Sequence, residues 1–303
     1  MARRALPRTC VSVLEKTTLG SGFQSAANSR LSGSSEATST SYQYSIFRCL
    51  LGHSEHARRV MERGHAMVGP HTTAFQRACL HLFSAIRAAL EREGATVAVE
   101  LEHLADVLAE HRMLPGFDGY IDILSTWAAP DNGARTEGEI ARSLGGLGKL
   151  EVSGQRLFSP FFTARLALDL SVSRRHDEAE LMIDRAFAVC EETGQGWCDA
   201  ELWRVRGELL LQAPQPDPSQ ATRCFTKALE LARFRGAKLW ELRAAMSLAG
   251  LQARQRQTAD ALSVLTPVYE WFGEDARTVD LAETRALLSE LGYGGGRDAF
   301  VAP

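Results

Sequence analysis

Several patterns in this chain carry residue types that do chemistry, and their spacing decides what each is good for. Gly145-Gly146-Leu147-Gly148-Lys149 is glycine-rich and ends on a lysine, as phosphate-cradling loops do. Such a loop also needs a glycine five residues before its Gly-Lys and a magnesium-binding hydroxyl after it. Here those places hold Ser143 and Leu150, so nucleotide binding is not expected. His53, His56 and His65 lie close in sequence, but zinc sites written on one helix set two histidines four apart with a glutamate between, and no His-Glu-x-x-His run occurs. They read as surface or capping histidines. A serine nucleophile announces itself as Gly-x-Ser-x-Gly after a strand, and the chain offers neither the motif nor a convincing strand. Its carboxylates fall on polar helix faces and in turns, as solvated helices require. The expectation is a protein with no catalytic residues, no cofactor and no metal.

The elements that would have to position any site are helices. With 303 residues, 45% of them hydrophobic, the chain has enough apolar side chain for a substantial core, as two domains or one extended array. A net charge of -3 gives no basic face for nucleic acid. No apolar run reaches the roughly 18 to 20 residues that span a bilayer, so no membrane role is expected. Cys10, Cys49, Cys79, Cys190, Cys198 and Cys224 are scattered without a Cys-x-x-Cys pair, which points to reduced thiols in a cytoplasmic protein.

Residues 1–41 differ from the rest. They are rich in Ser, Thr and Arg, nearly free of acids and without sustained periodicity. This composition formally resembles a transit peptide, but a disordered leader, or a start placed upstream of a fragment, is the better reading. From Tyr42 the 3.6-residue period begins. Over 42–150 it is weak: hairpins are marked by breaks at Gly69-Pro70, Gly94, Leu114-Pro115-Gly116 and Pro130–Gly133, and the helix Thr136–Leu147 is loosened by its glycines. Over 158–292 it is clear. Leu166, Ala167 and Leu170 answer Ala179, Ile183 and Ala186; Trp203, Gly207 and Leu210 answer Ala221, Phe225 and Ala228; Leu248 and Ala249 answer Ala261, Leu265 and Val268. Small residues let paired helices approach while large ones fill around them, which is the tetratricopeptide pattern. Pro267 should kink the chain or start a new helix, Trp203 and Trp271 should supply core area, and a last helix through Leu281 and Leu288 should cap the stack. Residues 293–303 read as a flexible tail. The expected fold is all-α, a tetratricopeptide-like right-handed solenoid of about six antiparallel helical hairpins between Tyr42 and Gly292.

The segments Glu201–Leu211, Cys224–Leu251, Val264–Glu274 and Asp280–Gly292 resemble the C-terminal repeat region of bacterial signalling proteins that carry an ATPase module, often with a class III adenylate or guanylate cyclase domain. The family's catalytic motifs lie in other domains, so the resemblance implies a regulatory scaffold that binds a protein, peptide or small effector. A signalling enzyme fragment or a truncated remnant are the alternatives. In such stacks the first helix of each hairpin lines the concave face. The resemblance therefore implies a groove built from Phe161, Ala164 and Leu168, then Glu201, Arg204 and Glu208, then Arg243, Met246 and Arg254. That groove is apolar at one end and charged at the other, suited to a segment with an acidic portion near Arg243 and Arg254.

Overall fold

The computed structural model describes residues 42, 44–111, 116–128, 135–273 and 277–293. The expected leader, the breaks at Leu114-Pro115 and Pro130–Gly133, and the glycine-rich tail after Tyr293 lie outside the described residues. Within them the chain is all-helical, with thirteen helices and no strand. The helices are α1 (44–50), α2 (Ser54–Ala66), α3 (Ala74–Leu90), α4 (Gly94–Glu110), α5 (Asp118–Ser125), α6 (Glu137–Val152) and α7 (Ser159–Val172). After them come α8 (His176–Thr193), α9 (Asp199–Gln212), α10 (Pro218–Arg235), α11 (Lys238–Arg254), α12 (Thr258–Phe272) and α13 (Val279–Glu290). None is long and apolar enough to cross a membrane.

Local chemistry sets the helix ends. Thr73 and Thr136 each cap the helix that follows and form a reciprocal capping box, with Gln76 and Glu139 respectively, while Asp217 caps α10 ahead of Pro218 at its first position. At the other ends one turn recurs. Arg92, Arg174 and Arg256 join α3 to α4, α7 to α8 and α11 to α12, and hold φ at 63°, 61° and 63°. In each case the following N–H reaches back five residues, Glu93 to the Ala88 carbonyl at 2.8 Å, Arg175 to Leu170 at 2.9 Å and Gln257 to Gln252 at 2.9 Å. These bonds satisfy carbonyls that the helix leaves open, offsetting the roughly 1–2 kcal/mol cost of a left-handed non-glycine residue.

Consecutive helices pack as pairs: α3 with α4, α5 with α6, α7 with α8, α9 with α10, α11 with α12. Between pairs, α7 lies against α9, α9 against α11, and α11 against α13. The small residues at the crossings do what their size allows. A β-carbon on Gly207 would stand 2.7 Å from Phe225 Cδ1, so the α9–α10 crossing requires glycine there. Trp203 is half-buried, packed edge-on to Phe187 with centroids 5.2 Å apart.

Four local expectations need correction. The glycine-rich α6 does not stop at Leu147: it runs unbroken to Val152, and Gly146 lets it press against α5, where an added β-carbon would meet the Gly119 carbonyl oxygen at 2.7 Å. Gly94 does not close a helix but opens α4, packed so near the end of α5 that its β-carbon would come within 2.9 Å of the Ala128 carbonyl oxygen. Pro267 starts nothing new, since α12 continues through it; the proline is on the exposed face, where water can take the freed carbonyl, while Leu265 and Val268 bury the inner face. Trp271 supplies little core area, being 41% exposed. It lies 5.6 Å from the His53 ring and beneath Lys238 Nζ at 5.1 Å.

The Trp271 contact is part of a larger departure. In a linear array each repeat touches only its neighbours, but here the first pairs reach the last. A β-carbon on Gly52, in the α1–α2 turn, would meet Trp271 at 2.7 Å and Lys238 at 2.8 Å. Arg92, in the α3–α4 turn, bonds Glu283 of α13 at 2.6 Å. The last helix is therefore bridged to α3 and α4 as well as stacked on α11.

Two neighbouring glycines of α6 give opposite expectations. Gly145 is exposed with nothing within 4 Å of a β-carbon, so Gly145→Ala should stabilise by up to about 1 kcal/mol through helix propensity. Gly146→Ala drives a methyl into the α5 backbone and should destabilise by about 1–3 kcal/mol. Urea unfolding of both variants checks the signs.

Candidate functional site

A cavity of about 520 Å³ lies along the helices that begin each of the later pairs. α7 contributes Phe161, Ala164 and Leu168, α9 contributes Glu201, Arg204 and Glu208, and α11 contributes Arg243, Met246 and Arg254. All nine positions that the sequence places on one face thus line one space. α13 adds Asp280 and Glu283, and the α3–α4 turn adds Arg92 and Glu93 from the far side.

The nine do not play equal parts. Phe161 and Ala164 are 5% and 1% exposed. Phe161 is packed among Trp127, Trp197 and Trp240 at 5.6, 6.0 and 5.7 Å, so it is wall rather than docking surface. Glu201 and Arg243 are likewise buried in the floor. Leu168, Arg204, Glu208 and Met246 are half-buried, and Arg254 is exposed on the rim, with no hydrogen bond or ion pair to the described residues.

The floor is a closed ionic network. Arg243 Nε donates to both Asp280 carboxylate oxygens at 3.1 Å, and its Nη2 donates to Asp280 Oδ2 at 2.8 Å and to the Leu90 carbonyl at 2.6 Å. Leu90 is the last residue of α3, so this guanidinium satisfies an open carbonyl at a negative helix end. Beside it Arg204 donates to Glu201 at 2.7 and 2.6 Å, and Ser247 Oγ donates to Glu208 Oε1 at 2.6 Å. Burial alone works against the charge on both arginines. For Arg204 the nearby Glu201 outweighs it, and for Arg243 Asp280 and then Glu201 do, so both pKa values end above the usual arginine range.

This changes the electrostatic reading of the groove. An acidic segment near Arg243 would have to displace Asp280, whose carboxylate already occupies the planar fork. Among the described residues, six arginines and six acids line the cavity, so their formal charges balance. Of these arginines, Arg254 is the one at the rim with no hydrogen bond or ion pair to a described residue.

Sequence reasoning missed Asp280, Glu283 and Arg92. Asp280 sits in the first turn of α13, where an acid is ordinary on helix-dipole grounds, and nothing local marks it as 2% exposed. It also missed that His65, assigned to the surface, is half-buried beside His81 and Glu100, with ion-pair distances of 3.7 Å from His65 and 2.8 Å from His81 to that carboxylate.

No protein-family model, no curated protein and no solved structure matches this chain.

The floor makes a sharp stability prediction. Asp280→Ala leaves the Arg243 guanidinium buried without its main partner and should cost about 3–5 kcal/mol in urea unfolding. Arg254→Ala, which removes an exposed cation with no partner among the described residues, should fall within about 0.5 kcal/mol of wild type.

Proposed function

We propose that this chain is a non-catalytic scaffold, a tetratricopeptide-like right-handed solenoid of antiparallel hairpins, that holds a segment of a partner protein in the cleft along α7, α9, α11 and α13. The observation that carries the reading is the contrast between floor and rim. Charges in the floor are satisfied internally, whereas the rim offers the apolar half-exposed Leu168 and Met246 together with the uncommitted cation of Arg254. Such a surface suits an extended or helical segment with apolar anchors and an acidic residue placed for Arg254, not for Arg243.

The resemblance of α9 to α13 to the repeat region of bacterial ATPase and cyclase proteins adds a context to this reading. In a longer parent protein the cleft would report partner binding to a nucleotide-handling domain in the cytoplasm, and the chain itself would carry none of the chemistry.

Two variants test the cleft without touching the floor. Gly250 lines the cavity on α11, and a β-carbon there meets nothing within 4 Å, so Gly250→Trp fills the space without a backbone clash. Arg254→Glu reverses the rim charge. Both should reduce capture of partner proteins from native cytoplasm by about tenfold or more relative to wild type, with unchanged melting curves. Equal recovery by all three proteins would defeat the cleft as the binding surface. Turnover of ATP or GTP that survives purification would defeat the scaffold reading itself.

A further inference from the structure

Away from the cleft, the first three complete helices bring together groups that the sequence keeps apart. His65 comes from the last turn of α2, His81 from the middle of α3, and Glu100 from α4. His81 Nδ1 lies 2.8 Å from Glu100 Oε2 and His65 Nε2 lies 3.7 Å from Glu100 Oε1. One nitrogen of each ring and one carboxylate oxygen all fall within 4.8 Å of one another. The two rings are 4.9 Å apart, and His103, one turn beyond Glu100, places a third ring 5.2 Å from that of His81.

We infer that His65, His81 and Glu100 form a binding site for a zinc-class divalent cation, which clamps α2 onto the α3–α4 pair and leaves its fourth position to His103 or water. Tetrahedral coordination at 2.0–2.2 Å sets ligand atoms about 3.3 Å apart. His81 lies 2.8 Å from one Glu100 oxygen and His65 lies 3.7 Å from the other, so small side-chain shifts bring one nitrogen of each ring and a single oxygen to that spacing. Two imidazoles with one carboxylate select zinc and its first-row neighbours over calcium or magnesium, which take oxygen ligands. The side chains of His65, His81 and Glu100 are 30%, 17% and 16% exposed, sheltered enough to hold an ion and open enough to receive one.

A metal needs the lone pair of an imidazole nitrogen. His65 Nε2 also lies 3.0 Å from the buried Ser84 hydroxyl, which competes for that lone pair in the tautomer where the hydroxyl donates. A bound cation takes the nitrogen and releases the hydroxyl.

The clamp has a mechanical purpose. α2 buries only Ala57, Met61 and Gly64, a small apolar face for a thirteen-residue helix. A metal bond from its last turn fixes the end farthest from the α1–α2 turn.

The test uses the full-length protein, stripped with chelator and titrated separately with Zn²⁺ and Co²⁺. The expected result is one equivalent bound, a rise in melting temperature with Zn²⁺, and Co²⁺ absorption in the visible without a thiolate charge-transfer band. His65→Ala and Glu100→Gln should each weaken uptake by about tenfold or more. Ser84→Ala, which removes only the competing hydroxyl, should keep it, and His53→Ala should not alter it. Absence of saturable uptake by wild type, uptake unchanged in both ligand variants, or a thiolate band pointing to the buried Cys190 and Cys198, whose sulfurs lie 3.9 Å apart, would each overturn the site.

Discussion

The Arg243 guanidinium is the constraint on which this structure depends. Taking such a charge out of water costs several kcal/mol, and only good geometry with every donor engaged makes it tolerable. Here the partners come from three places in the chain: Asp280 thirty-seven positions on, the Leu90 carbonyl 153 positions back, and Glu201 at 3.8 Å on the neighbouring α9. The stacking of α3, α11 and α13 around one planar group follows from that requirement. A buried ion pair of this kind adds less to stability than it does to the penalty for any arrangement that leaves one member alone.

The same interaction shapes the cleft. Because Asp280 and Glu201 neutralise the floor, whatever enters the space meets a surface that is polar but already paired, and selectivity passes to the rim. Gly250 leaves open volume where any other residue would project into it. The bridge from the α3–α4 turn to α13, through Arg92 and Glu283, ties the two sides of the cleft together, so that widening it would separate charges as well as helices.

Much of the later half is legible from spacing alone. Small and large residues at tetratricopeptide offsets identify the α9–α10 crossing, because Gly207 is a local statement about how close a neighbour with an aromatic ring can come. The weaker first half was harder, since Gly138, Gly145, Gly146 and Gly148 look alike in sequence. Only Gly146 meets the α5 backbone, while the other three face open space or, at Gly138, only its own helix cap.

The sequence by itself determined that the described chain is helical and where its later helices pair, because helical period and side-chain size act over a few residues, while the nine groove positions rest on the resemblance of the later segments. It did not determine which of those nine are wall, floor or rim. Phe161, Ala164, Glu201 and Arg243 are buried and Arg254 exposed only because other helices arrive over some positions and not others. The partners of Arg243, the contact of Trp271 with the α1–α2 turn, and the meeting of His65 with His81 and Glu100 belong to the tertiary structure for the same reason. Each joins groups on separate helices, and the burial that gives them their chemistry exists only once those helices have packed.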